Sequence, residues 1–397
     1  MGLRERLGFV PLALTHGLKG SARIWVHAVS LGEVKVAVAI IESLRRQIPG
    51  CWVMLSTTTE HGRHLAQQTF GEDVPVFYAP IDHVFSVRKA LKRARPDVMV
   101  FLETEIWPAW LVEAHRMGIK TALINGRISP RSIGRYLKFR PFFRQILEGV
   151  EAFSMILEED ASRIRDMGAE TCKIETNGNA KYDLLVTQAD PVMEAEMRRI
   201  LSLQPSQRVF VAGSTREGEE AMVLDVYEKI LDQFPDTILV IAPRHIDRTP
   251  AIEALLKSRG FGYQLRTEFE RPGTKREERV VIMNTFGELF KLYSVGTINF
   301  CGASLVPLGG QNPLEPAAWG KAVFYGPSME DFLDAKALLE EAGAGIPVSS
   351  PAMLAEKAIK LLSDTKTLEA HGARAREAVI KNQRAAEKHA GVVARLV

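Results

Sequence analysis

The sequence predicts an α/β protein in which two doubly wound domains, each built on a mostly parallel sheet, face each other across a cleft. Three observations lead to this prediction. The chain has 397 residues, 46% of them apolar and 25% charged, which is typical of two globular domains. Short apolar runs alternate with longer amphipathic stretches, the pattern of right-handed βαβ units. The alternation stops once near the middle of the chain and then restarts.

The apolar runs of the first half predict strands at residues 24–29, 52–56, 74–78, 98–102, 121–124 and 152–156. Helical patterns fall between them, at residues 34–47, 84–93 and 109–116. Because strands that alternate with helices run parallel, their carboxyl ends meet at one edge of the sheet. Ligands bind at that edge in folds of this class.

A charged stretch with two prolines interrupts the alternation and is predicted as a linker at residues 188–207. The mostly charged segment 266–278 contains a Pro-Gly pair and is expected to be a solvated loop. Five further apolar runs predict a second sheet, at residues 209–212, 237–241, 280–282, 297–300 and 322–325. We therefore expect a first domain over 1–187 and a second over 208–397, with the last helix a candidate to pack back on the first.

Composition disfavours several classes of protein. A net charge of +3 is too small to indicate nucleic-acid binding. No apolar run reaches the roughly 18 residues that a membrane span needs, and no secretory signal is visible. The three cysteines are scattered and lack metal-ligand spacing, so a disulfide framework is disfavoured and a reducing, cytoplasmic setting fits best.

Acidic residues follow two strands of the first predicted sheet. Glu33 comes after the first strand, where Ser30 and Gly32 turn the chain into a helix. A carboxylate there can merely complement the helix dipole, but it is also well placed as a general base whose pKa burial would raise. Glu103 and Glu105 follow the fourth strand and point the same way in an extended segment. We expect a function for Glu103 and leave Glu105 open.

The segment from Arg127 to Arg144 carries six basic residues and no acid, interleaved with Ile, Tyr, Leu and Phe. A solvated helix face would explain the charges, and nucleic acid is a weakly supported alternative partner. The interleaved aromatic residues favour contact with an anionic amphiphile or a membrane surface. The candidate contact residues are Arg127, Arg131, Arg135 and Lys138.

Small, basic or glycine residues follow the strands of the second predicted sheet. A hydroxyl at the start of a helix can bind phosphate or serve only as an N-cap. Neither a P-loop nor a GxGxxG dinucleotide pattern occurs, and no pair of acidic residues suited to a metal follows a strand in this half. The residues expected at this edge are Ser214, Thr215, Pro243, Arg244, His245 and Gly287.

The segment GGQNPLEPAAWG, at residues 309–320, is the strongest candidate for a sugar-nucleotide site. Gly309 and Gly310 leave the backbone free for close approach to an anion. Asn312 precedes a short helix whose N-terminus attracts negative charge. Glu315 is either a capping-box acid or an acceptor for ribose hydroxyls.

Seven segments in order resemble the lipopolysaccharide Kdo transferases, glycosyltransferase family 30: HAVSLGE, FLETEIWP, INGRIS, AGSTREGEE, APRH, FGEL and GGQNPLEPAAWGK. The resemblance runs from about Gly2 to the C-terminal region. It implies a GT-B fold of two Rossmann-like domains, with the acceptor bound by the first and CMP-Kdo by the second. The implied reaction is an inverting, metal-independent transfer of Kdo (3-deoxy-D-manno-oct-2-ulosonic acid) from CMP-Kdo to the lipid A precursor lipid IVA, releasing CMP.

The same resemblance implies roles for individual residues. Glu33 matches the general base that deprotonates the acceptor hydroxyl, while Glu103 and Lys181 match positions that stabilise the transition state. By its spacing alone, Lys181 is more simply a surface lysine. The segments that match CMP-binding positions are Pro243–Arg244, Phe286–Glu288 (Phe286, Gly287 and Glu288) and Asn312–Glu315. The positions matched to the Kdo carboxylate are Gly309, Gly310 and Gln311.

Family members generally have a hydrophobic anchor helix ahead of the segment that here begins GLRERLGF. Truncation or a peripheral family member would each explain the start of this chain, and we favour truncation. We expect no cofactor, and CMP-Kdo and a lipid A precursor as partners. We also expect a location on the cytoplasmic side of the bacterial inner membrane, through the basic segment and a surface of Arg4, Leu7 and Phe9.

Two other functions stay open on the sequence alone. Another GT-B enzyme acting on a nucleotide sugar, such as a hydrolase or epimerase, would share the features of the second domain, although the basic segment disfavours a small soluble acceptor. A non-catalytic two-lobed binding protein is the second. Such proteins are usually secreted, and this function would leave Glu33 and Glu103 without a purpose.

Overall fold

The computed structural model describes residues 2–11, 22–183 and 185–397, without the side chains of Arg131 and Thr187. The chain divides into two compact units. The first unit comprises Met1–Leu184 together with Asn382–Val397, and the second comprises Leu185–Lys381. None of the described helices combines the length and apolar content needed to span a bilayer.

Each unit contains one seven-stranded sheet, and the described strand pairs are all parallel. The strands of the first unit are β1 (Arg23–His27), β2 (Trp52–Thr57), β3 (Val76–Tyr78), β4 (Val98–Leu102), β5 (Lys120–Gly126), β6 (Ala152–Met155) and β7 (Ile174–Thr176). Those of the second are β8 (Val209–Thr215), β9 (Ile238–Pro243), β10 (Tyr263–Leu265), β11 (Val280–Ile282), β12 (Ile298–Cys301), β13 (Ala322–Tyr325) and β14 (Gly345–Pro347). The strand orders are β3-β2-β1-β4-β5-β6-β7 and β10-β11-β9-β8-β12-β13-β14.

Helices connect the strands and cover the sheets. Those up to β8 are α1 (Leu3–Arg6), α2 (Leu31–Gln47), α3 (Glu60–Phe70), α4 (Val84–Ala94), α5 (Pro108–Arg116), α6 (Pro130–Lys138), α7 (Arg140–Leu147), α8 (Glu158–Met167), α9 (Leu185–Gln188) and α10 (Pro191–Ile200). The later ones are α11 (Glu219–Gln233), α12 (Thr249–Ser258), α13 (Leu289–Tyr293), α14 (Leu314–Ala318), α15 (Leu333–Glu341), α16 (Pro351–Ser363), α17 (Thr365–Lys381) and α18 (Ala385–Ala394). Short 3-10 helices lie at Thr171–Lys173, Ala180–Tyr182, Ile246–Arg248 and Arg266–Glu270.

Two apolar layers cover the first sheet, as a parallel sheet requires. On one face, Trp110 of α5 and Ile146 of α7 pack against strand residues such as Phe101. On the other face, Ile40 of α2 and Val393 of α18 belong to a separate cluster. The strand order reverses between β1 and β4, so the loops after these two strands lie side by side at the switch point, where ligands bind in such sheets.

The end of the chain returns to the first unit. The Asp183 carboxylate accepts hydrogen bonds from the backbone N–H groups of Ala385 (3.3 Å) and Ala386 (2.6 Å), in the first turn of α18. His389 is fully buried; its Nδ1 lies 2.7 Å from Ser154 Oγ and its Nε2 lies 3.0 Å from the Gly178 carbonyl oxygen. Burial lowers the pKa of His389 to about 4, so a neutral imidazole makes these contacts with Ser154 and Gly178.

The division of the chain differs from the predicted boundaries, because residues 188–207 form part of the second unit. This segment contains α10, whose Glu196 makes an ion pair with Lys291 of α13. Arg276 donates to the Leu201 carbonyl (3.0 Å) and to Gln207 Oε1 (2.9 Å). Charged residues of the predicted linker, such as Glu196, therefore make ion pairs within the second unit.

Three short strands were not predicted: β7, β10 and β14. Each is three residues long and lies outside the central strands of its sheet, so its apolar run is too short to give a clear pattern. The segment 266–278, expected to be a solvated loop, begins with a 3-10 helix in which Arg266 is buried.

We expect Asp183→Ala to lower the free energy of unfolding of the first unit by about 1–2 kcal/mol, because two N–H groups of α18 lose their acceptor. Four of the five tryptophans, Trp25, Trp52, Trp107 and Trp110, lie in this unit, so urea denaturation followed by tryptophan fluorescence reports mainly on it. Asp183→Asn, which keeps one acceptor oxygen, should lower the free energy of unfolding less. Asp232→Ala, at an exposed position, should leave it unchanged. Equal stability of Asp183→Ala and the wild type would contradict the assigned cap.

Candidate active site

The Glu33 side chain folds back over the start of its own helix. Ser30 is the N-cap of α2, and its Oγ accepts a hydrogen bond from the Glu33 N–H (3.4 Å). The Glu33 carboxylate in turn accepts from the Val29 N–H (2.8 Å) and from the Ser30 hydroxyl (2.8 Å). This reciprocal capping holds the carboxylate at the end of β1, where it is only 7% exposed.

Burial dominates the electrostatics of Glu33. Loss of solvation is the largest cause, and together with the nearby carboxylates of Glu103 and Glu105 it raises the pKa of the Glu33 carboxyl to about 7, while the two hydrogen bonds oppose the shift. A carboxyl group with this pKa accepts and releases a proton near neutral pH, as a general base requires. Glu33 therefore lies where the sequence placed it, at the end of β1, and its burial acts in the direction that the sequence predicted.

Glu103 and Lys181 form an ion pair at the same edge, with 2.5 Å between Lys181 Nζ and Glu103 Oε1. Glu103 directly follows β4 and has a left-handed backbone conformation (φ 56°), which is uncommon for a residue with a side chain and recurs at functional sites. Lys181 stands in the 3-10 helix Ala180–Tyr182, whose first N–H donates to the buried Asn125 side chain (2.8 Å). The structure therefore brings three of the predicted residues to one sheet edge.

Glu105, which the sequence left open, is held by an aromatic cluster. The Trp107 indole N–H donates to the Glu105 carboxylate, and Trp107 packs edge-on against the buried His27. His27 in turn stacks on Trp110, with ring centroids 5.1 Å apart. Burial and the charge of Glu103 raise the pKa of Glu105. In the sequence, the only sign of the contact between Glu105 and Trp107 is their two-residue spacing in ETEIW, which puts both side chains on the same side of an extended segment.

The basic segment forms α6 and α7. Arg135 and Lys138 are exposed on α6, and Arg127 is half-buried just before it. The Arg131 side chain lies outside the described residues. Three apolar side chains are exposed beside these charges: Leu137, Phe139 and Phe142. The segment therefore presents a mixed basic and apolar surface rather than a purely charged helix face.

In the second unit, Glu219 fixes the loops at the centre of the sheet. Its fully buried carboxylate accepts backbone hydrogen bonds from Arg216 (3.0 Å), Ala303 (2.6 Å), Ser304 (3.0 Å) and Leu305 (3.0 Å). These donors belong to the loops after β8 and β12, which are adjacent strands. Sequence reasoning missed this residue, since a glutamate at the start of a helix gives no sign of partners some 85 positions away.

The predicted phosphate-binding residues of β8 are buried rather than open. Ser214 is 5% exposed with a left-handed backbone (φ 55°), and the Thr215 hydroxyl donates to Glu220 (3.3 Å). Pro243 ends β9, and the Arg244 N–H donates to the Thr215 carbonyl oxygen (3.0 Å), which joins the two strand ends. The side chains of Arg244 and His245 are exposed, and His245 Nε2 lies 2.5 Å from Arg216.

The glycine pair has a different role from the predicted one. The Gly309 N–H donates to Ser328 Oγ (2.9 Å), and the Gly310 N–H donates to the Ala303 carbonyl oxygen (2.9 Å). Both glycines have positive φ, and a Cβ at Gly309 would lie 2.4 Å from Asp331 Oδ2. Glycine is required here for close packing of the chain against itself. Because both amides already have acceptors, they are not available to a ligand carboxylate in this arrangement.

The remaining predicted residues occupy turns of the second unit. Phe286 is 81% exposed, next to Gly287, which has a positive φ (89°). Glu288 anchors this turn through Thr285 and an ion pair with Arg266 (2.9 Å).

In the segment after the glycine pair, Gln311, Asn312 and Glu315 are half-buried. The Asn312 side chain accepts from the Leu314 N–H (3.1 Å), which starts α14. Within the described ranges, no group of three or more His, Cys, Asp or Glu residues is placed to hold a metal ion.

A family model and a known relative identify the same family. Residues 1–184 match the family model described as 3-deoxy-D-manno-octulosonic-acid transferase (kdotransferase). The chain is 30% identical over 364 residues to the 3-deoxy-D-manno-octulosonic acid transferase of Haemophilus influenzae, and the match covers 92% of this chain and 84% of that protein. It is 32% identical over 319 residues to a bifunctional glycosyltransferase/methyltransferase of Fusobacterium nucleatum; the match covers 80% of this chain and about half (49%) of that longer protein.

Solved structures resemble the chain in fold. The UDP-GlcNAc 2-epimerase of Neisseria meningitidis aligns with a TM-score of 0.63 at 14% identity, covering 91% of this chain and 99% of that one. A glycosyltransferase from Rickettsia africae aligns with the same TM-score and identity, covering 95% and 98%. At such low identity the likeness concerns the fold alone, and it confirms the predicted pair of Rossmann-like units.

We expect Glu219→Gln to loosen the loop after β12, because an amide NH₂ cannot accept the hydrogen bonds that the carboxylate oxygen accepts. Leaving one or more buried N–H groups unpaired should cost about 2–4 kcal/mol locally. Hydrogen–deuterium exchange followed by mass spectrometry should show faster exchange in a peptide that covers residues 303–305. Glu217→Gln, whose side chain is 90% exposed, is the matched control. Unchanged protection in Glu219→Gln would contradict this anchoring role.

Proposed function

This chain belongs to the family of 3-deoxy-D-manno-octulosonic acid transferases, which are glycosyltransferases, and we propose that it transfers Kdo from CMP-Kdo to a lipid A precursor, releasing CMP. The observation that carries the proposal is the buried Glu33 carboxylate beside the Glu103–Lys181 ion pair, at the switch point of the first sheet. This arrangement supplies a base next to a lysine whose position an ion pair fixes.

The proposed reaction is a direct displacement at the anomeric carbon of Kdo. Glu33 takes the proton of an acceptor hydroxyl, whose oxygen forms the new bond to that carbon. The bond between the carbon and the phosphate oxygen of CMP breaks, and its electron pair leaves with CMP. One displacement inverts the configuration, and a single base suffices for it.

The donor is assigned to the second unit, at the carboxyl ends of β8, β9, β11 and β12. Exposed Arg244 and His245 there suit a phosphate, and exposed Phe286 suits stacking on a base. The Glu219 anchor supports this assignment, because a ligand site needs loops whose positions are fixed in advance. The engaged amides of Gly309 and Gly310 leave the Kdo carboxylate to other groups.

Positive charge for the departing CMP comes, in this proposal, from Arg244, so the transfer needs neither a metal ion nor another cofactor. We place the protein on the cytoplasmic side of the bacterial inner membrane, where a lipid acceptor is anchored. The basic and apolar surface of α6 and α7 supports this placement, since it suits the phosphates and acyl chains of such an acceptor.

We expect Glu33→Gln to lower kcat for Kdo transfer by roughly 10²–10⁴, because glutamine cannot accept the hydroxyl proton. CMP release from CMP-Kdo and a tetra-acylated lipid A precursor would be measured together with a mass spectrum of the lipid product. CMP binding, measured by calorimetry, should stay close to wild type because the nucleotide is assigned to the other unit. Exposed Glu42→Gln in the same helix is the matched control.

The pH profile tests the same assignment. Because the base works only when ionised, kcat/KM should fall about tenfold per unit below a pKa near 7 and level off above it. Near-normal transfer by Glu33→Gln, or an acid limb centred below pH 5, would refute the role of Glu33. A wild-type protein that hydrolyses or epimerises UDP-GlcNAc, and leaves CMP-Kdo intact, would replace the proposed function by the alternative.

We expect Arg135→Glu with Lys138→Glu to raise KM for the lipid acceptor at least about tenfold while KM for CMP-Kdo stays nearly constant, because only the acceptor meets α6. Steady-state kinetics with each substrate varied would measure both constants. Arg259→Glu with Lys360→Glu, on the second unit, makes the same change of charge and is the control. An equal rise of both KM values would argue against a role in acceptor binding.

A further inference from the structure

Among the described residues, six large apolar side chains are exposed in two segments of the first unit: the N-terminal turn around α1, and the stretch from the loop after β3 into the first turn of α4. Single exposed apolar residues are ordinary, but a group of this size in one place indicates a binding surface. Phe85 and Leu3 are the most exposed, at 73% and 70%. This apolar patch consists of Leu3, Leu7, Phe9, Ile81, Val84 and Phe85.

Specific contacts fix the two segments against each other. The Ile81 N–H donates to the Arg6 carbonyl oxygen (2.9 Å), and the Tyr78 N–H donates to the Glu5 carboxylate (2.7 Å). Gly8 lies so close to the start of α4 that a Cβ there would be 2.2 Å from the Ser86 carbonyl oxygen. The polar side of α1 thus faces the protein, and the apolar side chains stay outside. The patch is a fixed surface and not a pair of loose loops.

Three exposed cations lie around the patch. Arg4, Lys89 and Lys92 are exposed, and Lys89 Nζ lies 2.9 Å from the centre of the Phe9 ring. Two acids that lie beside the patch in the described part of the chain, Glu5 and Asp82, already have partners. Glu5 pairs with Arg63 (3.2 Å), and Asp82 accepts hydrogen bonds from the first turn of α5. A surface that combines apolar tips with surrounding cations is complementary to an anionic phospholipid bilayer.

The position of the patch in the sheet connects it to the proposed chemistry. In the order β3-β2-β1-β4-β5 the patch follows β3, Glu33 follows β1, Glu103 follows β4 and the basic helix α6 follows β5. Because the strands are parallel, all four lie along one edge of the sheet. Asp82 also ties the patch to α5, the helix that begins just after Glu103 and Glu105, through Ala109 (2.9 Å) and Trp110 (3.2 Å).

We infer that the apolar patch docks the first unit on an anionic phospholipid bilayer, with its apolar side chains in the headgroup region and Arg4, Lys89 and Lys92 on the lipid phosphates. This inference rests on the proposed function for its purpose. A lipid acceptor stays in the bilayer, so the sheet edge that carries Glu33 has to meet the bilayer surface. The patch is distinct from the α6–α7 surface, which contacts the acceptor itself.

The test is co-sedimentation of the full chain with vesicles of phosphatidylcholine, alone or mixed with phosphatidylglycerol. The wild type should bind the mixed vesicles more tightly than phosphatidylcholine alone, and salt should weaken the binding. Leu7→Ser with Phe85→Ser should lower the partition coefficient at least about tenfold, since both apolar anchors are lost. Arg4→Glu with Lys89→Glu should remove the preference for the anionic lipid. Val192→Ser with Met193→Ser, which alters exposed apolar residues of the second unit, is the matched control.

Three results would overturn the inference. The first is that both patch variants bind vesicles as tightly as the wild type does. The second is that binding is lost only when the charges of Arg135 and Lys138 are reversed. The third is a wild type that ignores vesicles but dimerises through the patch in sedimentation velocity. Thermal melting checks that each variant is folded.

Transfer to detergent-dispersed acceptor separates this inference from the proposed function. Patch variants should keep the wild-type rate there, because no bilayer is involved. If the wild type shows no transfer while the patch governs vesicle binding, the proposed function fails and the docking surface stands.

Discussion

Parallel strand pairing is the constraint on which the rest of this structure depends. Every described ladder is parallel, so all strands of a sheet end at the same edge, and residues that are far apart in sequence meet there. In the first unit this edge carries Glu33, Glu103 and Lys181, and in the second it carries the loops that Glu219 holds. Both groups lie near the central strand that comes first in its unit along the chain, β1 or β8. The loops on either side of such a strand diverge and leave room for a ligand.

Glu33 and Glu219 occupy equivalent places, each in the first turn of the helix after the first strand of its unit. Their environments separate their roles. Glu219 accepts four backbone hydrogen bonds, three of them from another loop, and so serves as a structural anchor. Glu33 has two local donors and two nearby carboxylates, and burial leaves its pKa at about 7. The same residue type thus holds a loop in one unit and is suited to proton transfer in the other.

Four of the seven described non-glycine residues with positive φ lie at the carboxyl ends of strands, and the other three, Arg95, Ser202 and Arg384, lie at helix ends. Glu103, Asn125, Ser214 and Ala303 have left-handed φ values of 52–56°, and each stands at or just after the end of a central strand. Each such residue costs of order 1–3 kcal/mol and persists only where the surroundings enforce it. Here the surroundings are identifiable: Asn125 holds the Ala180 amide, and Ala303 is held by Glu219. The four strained positions at strand ends therefore lie in or beside the loops that carry the candidate site.

The sequence by itself determined the parallel α/β class, the two units and the place of Glu33, because apolar periodicity and the residue after a strand are local features. The resemblance in seven segments added the family. Only the tertiary structure decided that α18 returns to the first unit, that residues 188–207 join the second, and that the Gly309 and Gly310 amides are engaged. Only the structure shows that the segments of Leu7 and Phe85 lie side by side and form one surface. These features depend on partners distant along the chain, and a hydrogen bond or buried contact of that kind leaves no periodic trace in either partner's own segment.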